Sequence, residues 1–202
     1  MASSGKMTLF VDRSVSGQFL RAVAAQCQMT DLKIREDHKY SQPVLISYDP
    51  ALQKELSSRV FDSEEALSLN YPRAIARYMA RISNNAILLG SGPLEEALVD
   101  DLIAVALGKI TGDVIKRLDQ MTAKTTYLGS PSGMRLGDLA VFAAVHHKVE
   151  SKKGSIDALP SNLLRWFNFM QHHHTLSGKV DSLPLIPVVV PPSPLFGVLD
   201  AA

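Results

Sequence analysis

Leu136-Gly-Asp-Leu-Ala-Val-Phe-Ala-Ala-Val-His-His147 and Ser161-Asn-Leu-Leu-Arg-Trp-Phe-Asn-Phe-Met-Gln171 are the two stretches on which the fold turns. Apolar residues recur at helical spacing in both. Asp138 stands two residues into the first helix, where a carboxylate accepts hydrogen bonds from backbone N–H groups that have no intrahelical partner. A structural capping role is expected for it. On a wheel of about 100° per residue, Leu163, Leu164, Trp166, Phe167 and Met170 of the second stretch share one wide apolar arc, which is core. Arg165, Phe169 and His172 form an i, i+4, i+7 stripe on the other side, flanked by Asn162 and Asn168. An aromatic ring beside a planar guanidinium on an exposed helix face is the composition of an interface hot spot.

Helical periodicity also covers 95–110 and 113–125, and with 136–150 and 163–172 it makes an all-helical region punctuated by Gly, Pro or Ser. Ahead of that region, 83–93 is a break rich in Asn, Gly and Ser. Upstream the pattern changes. Lys6-Met-Thr-Leu-Phe-Val-Asp12 is a short β-prone run, after which Ser16 can cap a helix over 17–29. Residues 32–37 and Pro43-Val-Leu-Ile-Ser-Tyr48 are strand candidates, and Asp49-Pro50 suits the cap and first position of a helix through Leu56. Val60-Phe61 and Ala66-Leu-Ser-Leu69 read as a hairpin. A helix over 71–82 follows, with Asn70 as cap, Pro72 in its first turn, and Ile75, Tyr78, Met79 and Ile82 on one face. This order is that of a thioredoxin-like domain. The chain therefore reads as an α/β N-terminal thioredoxin-like domain at 1–84, an all-α C-terminal domain at 85–176, and a Pro-rich extended tail or linker at 177–202. In the tail, Pro184, Pro187, Pro191, Pro192 and Pro194 forbid a helix. The apolar residues between them suit either a linker to a further part or a segment that docks on its own domain or a partner.

With 202 residues and 46% hydrophobic content, the chain can bury a core without metals or disulfides. Its one cysteine, Cys27, excludes an intramolecular disulfide, and Met1-Ala-Ser-Ser-Gly-Lys6 lacks the apolar region of a signal peptide, so a reducing cytoplasmic setting is expected. No run of about 18 apolar residues offers a membrane span. The 21 basic and 20 acidic residues leave a formal charge of +1 and no bulk drive towards nucleic acid. Contact with RNA is expected to be indirect or to lie elsewhere. His146-His147 and His172-His173-His174 are the metal-like clusters, but consecutive helical residues point about 100° apart and cannot all face one ion, so no metal is expected. Lys148 to Lys153 reads as a small solvated basic turn.

The chain resembles glutathione transferases over roughly residues 6–175. Tyr71-Pro-Arg-Ala-Ile-Ala-Arg-Tyr-Met-Ala-Arg81 is similar to the third helix of that fold. Leu89-Gly-Ser-Gly-Pro-Leu-Glu-Glu-Ala97 is similar to its interdomain linker and next helix, and Thr126-Tyr-Leu-Gly129 with Leu136–Phe142 to a signature stretch of its helical domain. The variant at 163–172 resembles the transferase-like domains appended to aminoacyl-tRNA synthetases, multisynthetase-complex scaffold proteins and elongation factor 1B. Where the family usually places Ser or Thr, this chain has Arg135. The hydroxyl cap is then missing, at a typical cost of about 1 kcal/mol, with Ser132 or Asp138 taking over part of its role.

Active transferases hold the γ-glutamyl group of glutathione with a Glu/Gln-Ser pair before the third helix. Here that pair falls on Tyr71-Pro72, and proline has no donor to offer. The family's cis-proline before the third strand is Pro43 if that strand begins at Val44, and is replaced by Arg59 if the strand is Val60-Phe61. A thiol-activating hydroxyl is available at Ser14 or Ser16, although a helix start prefers serine for its own reasons. Cys27 follows the pattern of Phe19, Leu20, Val23 and Ala24 and reads as a packed side chain. No catalytic residue and no cofactor are expected. In the synthetase-associated domains, the arginine matching Arg165 lies on the helix that pairs two domains, and Asp119 or Asp113 are candidates for a carboxylate opposite it. The resemblance implies a non-catalytic protein–protein interaction module that assembles a translation complex. Its partners would be aminoacyl-tRNA synthetases or other transferase-like domains, as a homo- or heterodimer, with tRNA reached only through a domain outside this segment. A divergent glutathione transferase and an elongation factor 1B subunit domain are the alternatives.

Overall fold

Alternation along Met7-Thr-Leu-Phe-Val11 buries Leu9 and Val11 and makes this run β1 (Met7–Val11), an inner strand of the sheet. The structure, a computed structural model, describes residues 7–29, 31–37, 43–47, 67–151, 159–173, 176 and 185–187. Strand β2 (Leu32–Glu36) runs parallel to β1, with Ile34 opposite Leu9. On the other side β3 (Val44–Ser47) runs antiparallel, with Leu45 opposite Leu9, and β4 (Leu67–Leu69) pairs antiparallel with β3. The order β2-β1-β3-β4, with helix α1 (Val15–Cys27) joining the parallel pair, is a thioredoxin-like arrangement. Among the described residues β4 is therefore the partner of β3. The expected hairpin mate Val60-Phe61 and the expected helix at 50–56 lie outside the described residues. Pro43 stands directly before the third strand described, but no cis peptide bond occurs among the described residues, and Arg59 lies outside them.

Helix α1 buries Phe19, Leu20, Val23, Ala24 and Cys27, and ends at Gln28 in the left-handed region (φ 50°), short of the expected Met29. Helix α2 (Pro72–Ile82) starts after Tyr71 instead of Asn70, with proline at a position whose N–H would be unpaired anyway. Its buried face is Ile75, Ala76, Met79 and Ala80; Tyr78 is only partly buried and Ile82 is exposed. The expected face is thus rotated towards the two alanines, whose small side chains let α2 lie against α1.

A 3₁₀ turn at Ala86–Leu89 drives Leu88 and Leu89 into the core. Gly90 then takes φ 111°, and a Cβ there would stand 2.8 Å from the Glu96 nitrogen. This sharp turn leads into α3 (Pro93–Leu107), α4 (Gly112–Thr122), α5 (Leu136–Ser151) and α6 (Ser161–Gln171), each within a few residues of its expected span. Helix α5 is apolar around most of its circumference because it is a central pillar packed on α1 and α3. Gly137 makes the α3 crossing close: a Cβ on it would lie 2.9 Å from the Leu102 Cβ. Polar ties bridge the α/β and helical parts, from Gln18 Nε2 to Glu150 (2.8 Å) and from Arg73 and Arg77 to Asp100 (3.0 Å each).

Leu185–Pro187 of the tail are described, and they settle on the helical part. The Ile186 N–H donates to Gln171 Oε1 (2.7 Å) and the Ile186 carbonyl accepts from Gln171 Nε2 (3.1 Å). Gln171 is buried and the Ile186 side chain packs on the core. At these three residues the contact expected of a docking segment is present. No helix among the described residues is long and apolar enough to cross a membrane.

Candidate interaction site

Among the described residues, three places bear on the expected site residues, beginning at the end of β1. Ser14, not Ser16, caps α1: its Oγ accepts from the Gly17 N–H (3.3 Å) and donates to Asp12 Oδ1 (2.6 Å). The same carboxylate oxygen accepts the Ser14 N–H at 3.1 Å. The local Asp-x-Ser turn decides which serine caps, because Asp12 can hold only the nearer hydroxyl. A hydroxyl whose proton points at a carboxylate is poorly placed to donate to a thiolate, which that carboxylate also repels. At the start of α2, Tyr71 makes no side-chain capping bond, and Pro72 has no N–H. Cys27 is buried, and burial pushes its thiol up despite a hydrogen bond with Ser83.

The second place lies between α3 and the start of α5. Asp138 is fully buried, with Oδ1 accepting from the Leu128 N–H (2.6 Å) and Oδ2 from the Arg135 N–H (2.9 Å). It is the expected cap. Burial pushes its carboxyl up to about 6, against the pull of the amides of Arg135, Leu128 and Gly129 and the Arg135 charge. Arg135 fills a role that sequence reasoning missed. Its side chain is 2% exposed, and its guanidinium donates to Ser132 Oγ (3.0 Å), Ser130 Oγ (3.2 Å), Glu95 Oε2 (3.3 Å) and the Met134 carbonyl (3.3 Å). Glu95 also accepts from the Ser91 N–H (2.9 Å), Ser91 Oγ (2.8 Å) and Ser130 Oγ (2.8 Å). The Ser91 amide first, then the Ser130 and Ser91 hydroxyls, hold its carboxyl down at about 2. Ser132 therefore serves the guanidinium and not the helix start. Arg135 is no weakened cap but a clamp joining the linker, α3 and the 130–135 loop.

The third place is the outer face of α6. Leu163, Leu164, Trp166, Phe167 and Met170 are buried, and Arg165, Phe169 and His172 are exposed, as the wheel requires. His172 caps the helix end, with Nδ1 2.9 Å from the Asn168 carbonyl. Arg165 Nη2 donates to the Thr122 carbonyl (3.0 Å) at the end of α4, which holds the guanidinium beside a groove of about 410 Å³. Phe169, 38% exposed, meets Tyr127 edge-on at 5.8 Å. Asp119 is engaged within the chain: its carboxylate accepts the Leu163 N–H (2.9 Å) and Asn162 Nδ2 (3.2 Å), capping α6, whose own preceding residue is Pro160. Asp113 stays exposed in the first turn of α4. His146 is buried between Phe142 and Phe167, and among the described residues no group of His, Cys, Asp and Glu could hold a metal ion.

The strand order, the α1 crossover and the helical part built on α5 define a glutathione-transferase-like fold. Solved structures share it at low identity, which carries the fold alone. A theta-class glutathione S-transferase of Xanthomonas axonopodis pv. citri with glutathione bound has a TM-score of 0.63 and 16% identity, covering 85% of this chain and 94% of that one. For a glutathione S-transferase of Sinorhizobium meliloti 1021 the values are 0.62, 16%, 84% and 89%, and for glutathione transferase Omega 2C of Trametes versicolor 0.61, 12%, 85% and 91%. In sequence, the chain is similar to the tRNA-aminoacylation cofactor arc1 of Schizosaccharomyces pombe (strain 972 / ATCC 24843), 22% identical over 158 residues, or 75% of this chain. The match takes in 35% of that protein, so the chain spans about a third of the relative's length. No protein-family model matches the chain.

Proposed function

We propose that this chain is a non-catalytic interaction module that assembles a cytoplasmic translation complex, pairing its transferase-like fold with that of an aminoacyl-tRNA synthetase or another such domain through the outer face of α6. The observation that carries the reading is the exposed Arg165, Phe169 and His172 stripe opposite a fully buried arc on the same helix. A fixed guanidinium beside an aromatic pair offers the charge and apolar area on which interface affinity concentrates. Similarity to a tRNA-aminoacylation cofactor supports the translational setting, with tRNA contacted by a domain outside this segment. Pairing side by side would serve to bring a tRNA-binding part and a synthetase together, which raises their effective concentration. The engaged Ser14 hydroxyl and the Tyr71-Pro72 helix start argue against the divergent-transferase alternative.

The test is the light-scattering mass of wild type and Arg165→Ala across a concentration series, alone and mixed with a candidate synthetase domain, with glutathione turnover on the same samples. Loss of Arg165 should weaken assembly by more than about 1 kcal/mol while leaving the melting transition in place. Assembly indifferent to Arg165, accompanied by turnover, would overturn the reading in favour of a working transferase.

A further inference from the structure

Gln171 closes the last turn of α6 and is buried, only 3% exposed. Helical spacing sets it in line with Leu164 and Phe167, both buried, so a side-chain amide stands where that row would continue with a hydrocarbon. A buried amide is costly unless its donor and its acceptor are both answered. Ile186 answers both: its N–H meets Oε1 and its carbonyl meets Nε2. Among the described residues no other group bonds to this amide. The N–H and C=O of one residue paired with one facing amide is the exchange that neighbouring antiparallel strands make, with a side chain standing in for the second strand. One side chain of the segment turns inward with it: Ile186 packs on the core, whereas Leu185 is 55% exposed. Pro187 biases the residue before it, Ile186, towards extended backbone, so the shape that Gln171 reads is partly set in advance.

We infer that the end of α6 is a peptide-binding site, in which Gln171 reads the main chain of an extended apolar residue followed by proline, and that the chain's own Ile186-Pro187 is its tethered, exchangeable ligand. Recognition through the main chain makes the ligand's backbone N–H indispensable and asks of its side chains only that the central one be apolar. Ile186 follows the buried Leu176 by ten positions. A tether of that length confers an effective concentration on the order of millimolar, so weak intrinsic binding keeps the segment docked and the same sequence supplied in trans can exchange with it.

The probes are the acetylated, amidated hexapeptide of residues 183–188, Leu-Pro-Leu-Ile-Pro-Val, and the same peptide with its isoleucine nitrogen methylated. Each is titrated into the full chain carrying Ile186→Asp, which empties the site by putting a carboxylate where the core receives an apolar side chain. The hexapeptide should move the Gln171 side-chain amide resonances saturably at about millimolar concentration, and the methylated peptide should bind at least fivefold more weakly. Wild type should bind the hexapeptide at least tenfold more weakly than Ile186→Asp, since its own segment holds the site. Adding Gln171→Leu, which keeps the row apolar and removes the reader, should weaken binding at least fivefold as followed at the backbone amides of α6. Equal binding of the two peptides, equal binding by wild type and Ile186→Asp, or no binding to the emptied site would overturn the inference. If Ile186→Asp does not fold, hydrogen exchange of wild type decides: an Ile186 amide that opens at least a hundredfold faster than the amides of α5 supports an exchangeable ligand, and exchange in step with α5 overturns it.

Discussion

Replacing Asp138 by Ala should destabilise the protein by an amount that depends on pH in an unusual direction. The carboxylate accepts two amide donors, those of Leu128 and Arg135, at a site with no solvent access. Each orphaned buried donor costs about 1–3 kcal/mol, so the pair is worth about 2–6 kcal/mol, centred near 4. Burial raises the folded carboxyl from 3.8 to about 6, so between those values the native state holds a proton that the unfolded chain has released. A raised acid therefore contributes most below pH 4, and its contribution falls as pH rises towards 6, by about 1.4 kcal/mol for each pH unit. Between pH 5 and pH 7 the total change is roughly 1 kcal/mol, because the slope fades above pH 6. Urea unfolding of wild type and Asp138→Ala at both pH values should thus show a deficit of several kcal/mol at pH 5 that is smaller at pH 7 by roughly 1 kcal/mol. A deficit that grows from pH 5 to pH 7 would refute the reasoning. It would mean that the amide donors and Arg135 outweigh burial and hold the carboxyl below its ordinary range.

Glu95→Gln should remove part of the acid sensitivity of the fold. The wild-type carboxyl is held at about 2 against an ordinary 4.5, so its contribution is complete above pH 4.5 and is lost as pH falls towards 2. Melting temperatures between pH 2 and pH 5 should fall less steeply in the variant than in wild type, and parallel curves would reject the clamp. Gln171→Ala should free the tail without unfolding the core, since it removes both bonds to Ile186. Faster amide exchange at Ile186 and new proteolytic cleavage between Leu176 and Ile186 are the expected readouts.

The layers of this fold were legible because they rest on local signals. Alternation in β1, periodicity in α3 to α6 and the two-faced wheel of α6 all concern residues within a few turns of one another, and the buried and exposed sets of α6 match it. The misreadings share a different cause. Arg135 meets Glu95 across 40 positions, and Asp119 caps α6 across 44, and no periodicity records partnerships of that span. Either Ser14 or Ser16 could have capped α1 on propensity alone, and the choice was made by where the Asp12 carboxylate sits. The tail was ambiguous for a related reason, because its docking depends on a single glutamine at the end of a helix whose own periodicity gives no hint of it.

The Arg135 clamp also couples two positions so that neither can change alone without loss. A serine at position 135 would offer a hydroxyl cap, but it would empty the space of one of the largest fully buried side chains and leave Glu95 without this cation. Changing Glu95 alone would take from the buried Arg135 guanidinium the carboxylate it is paired with. Whichever substitution comes first passes through a less stable protein. Joint replacement of Arg135 and Glu95, with Ser130 and Ser132 that bridge them, should therefore be tolerated better than either single change.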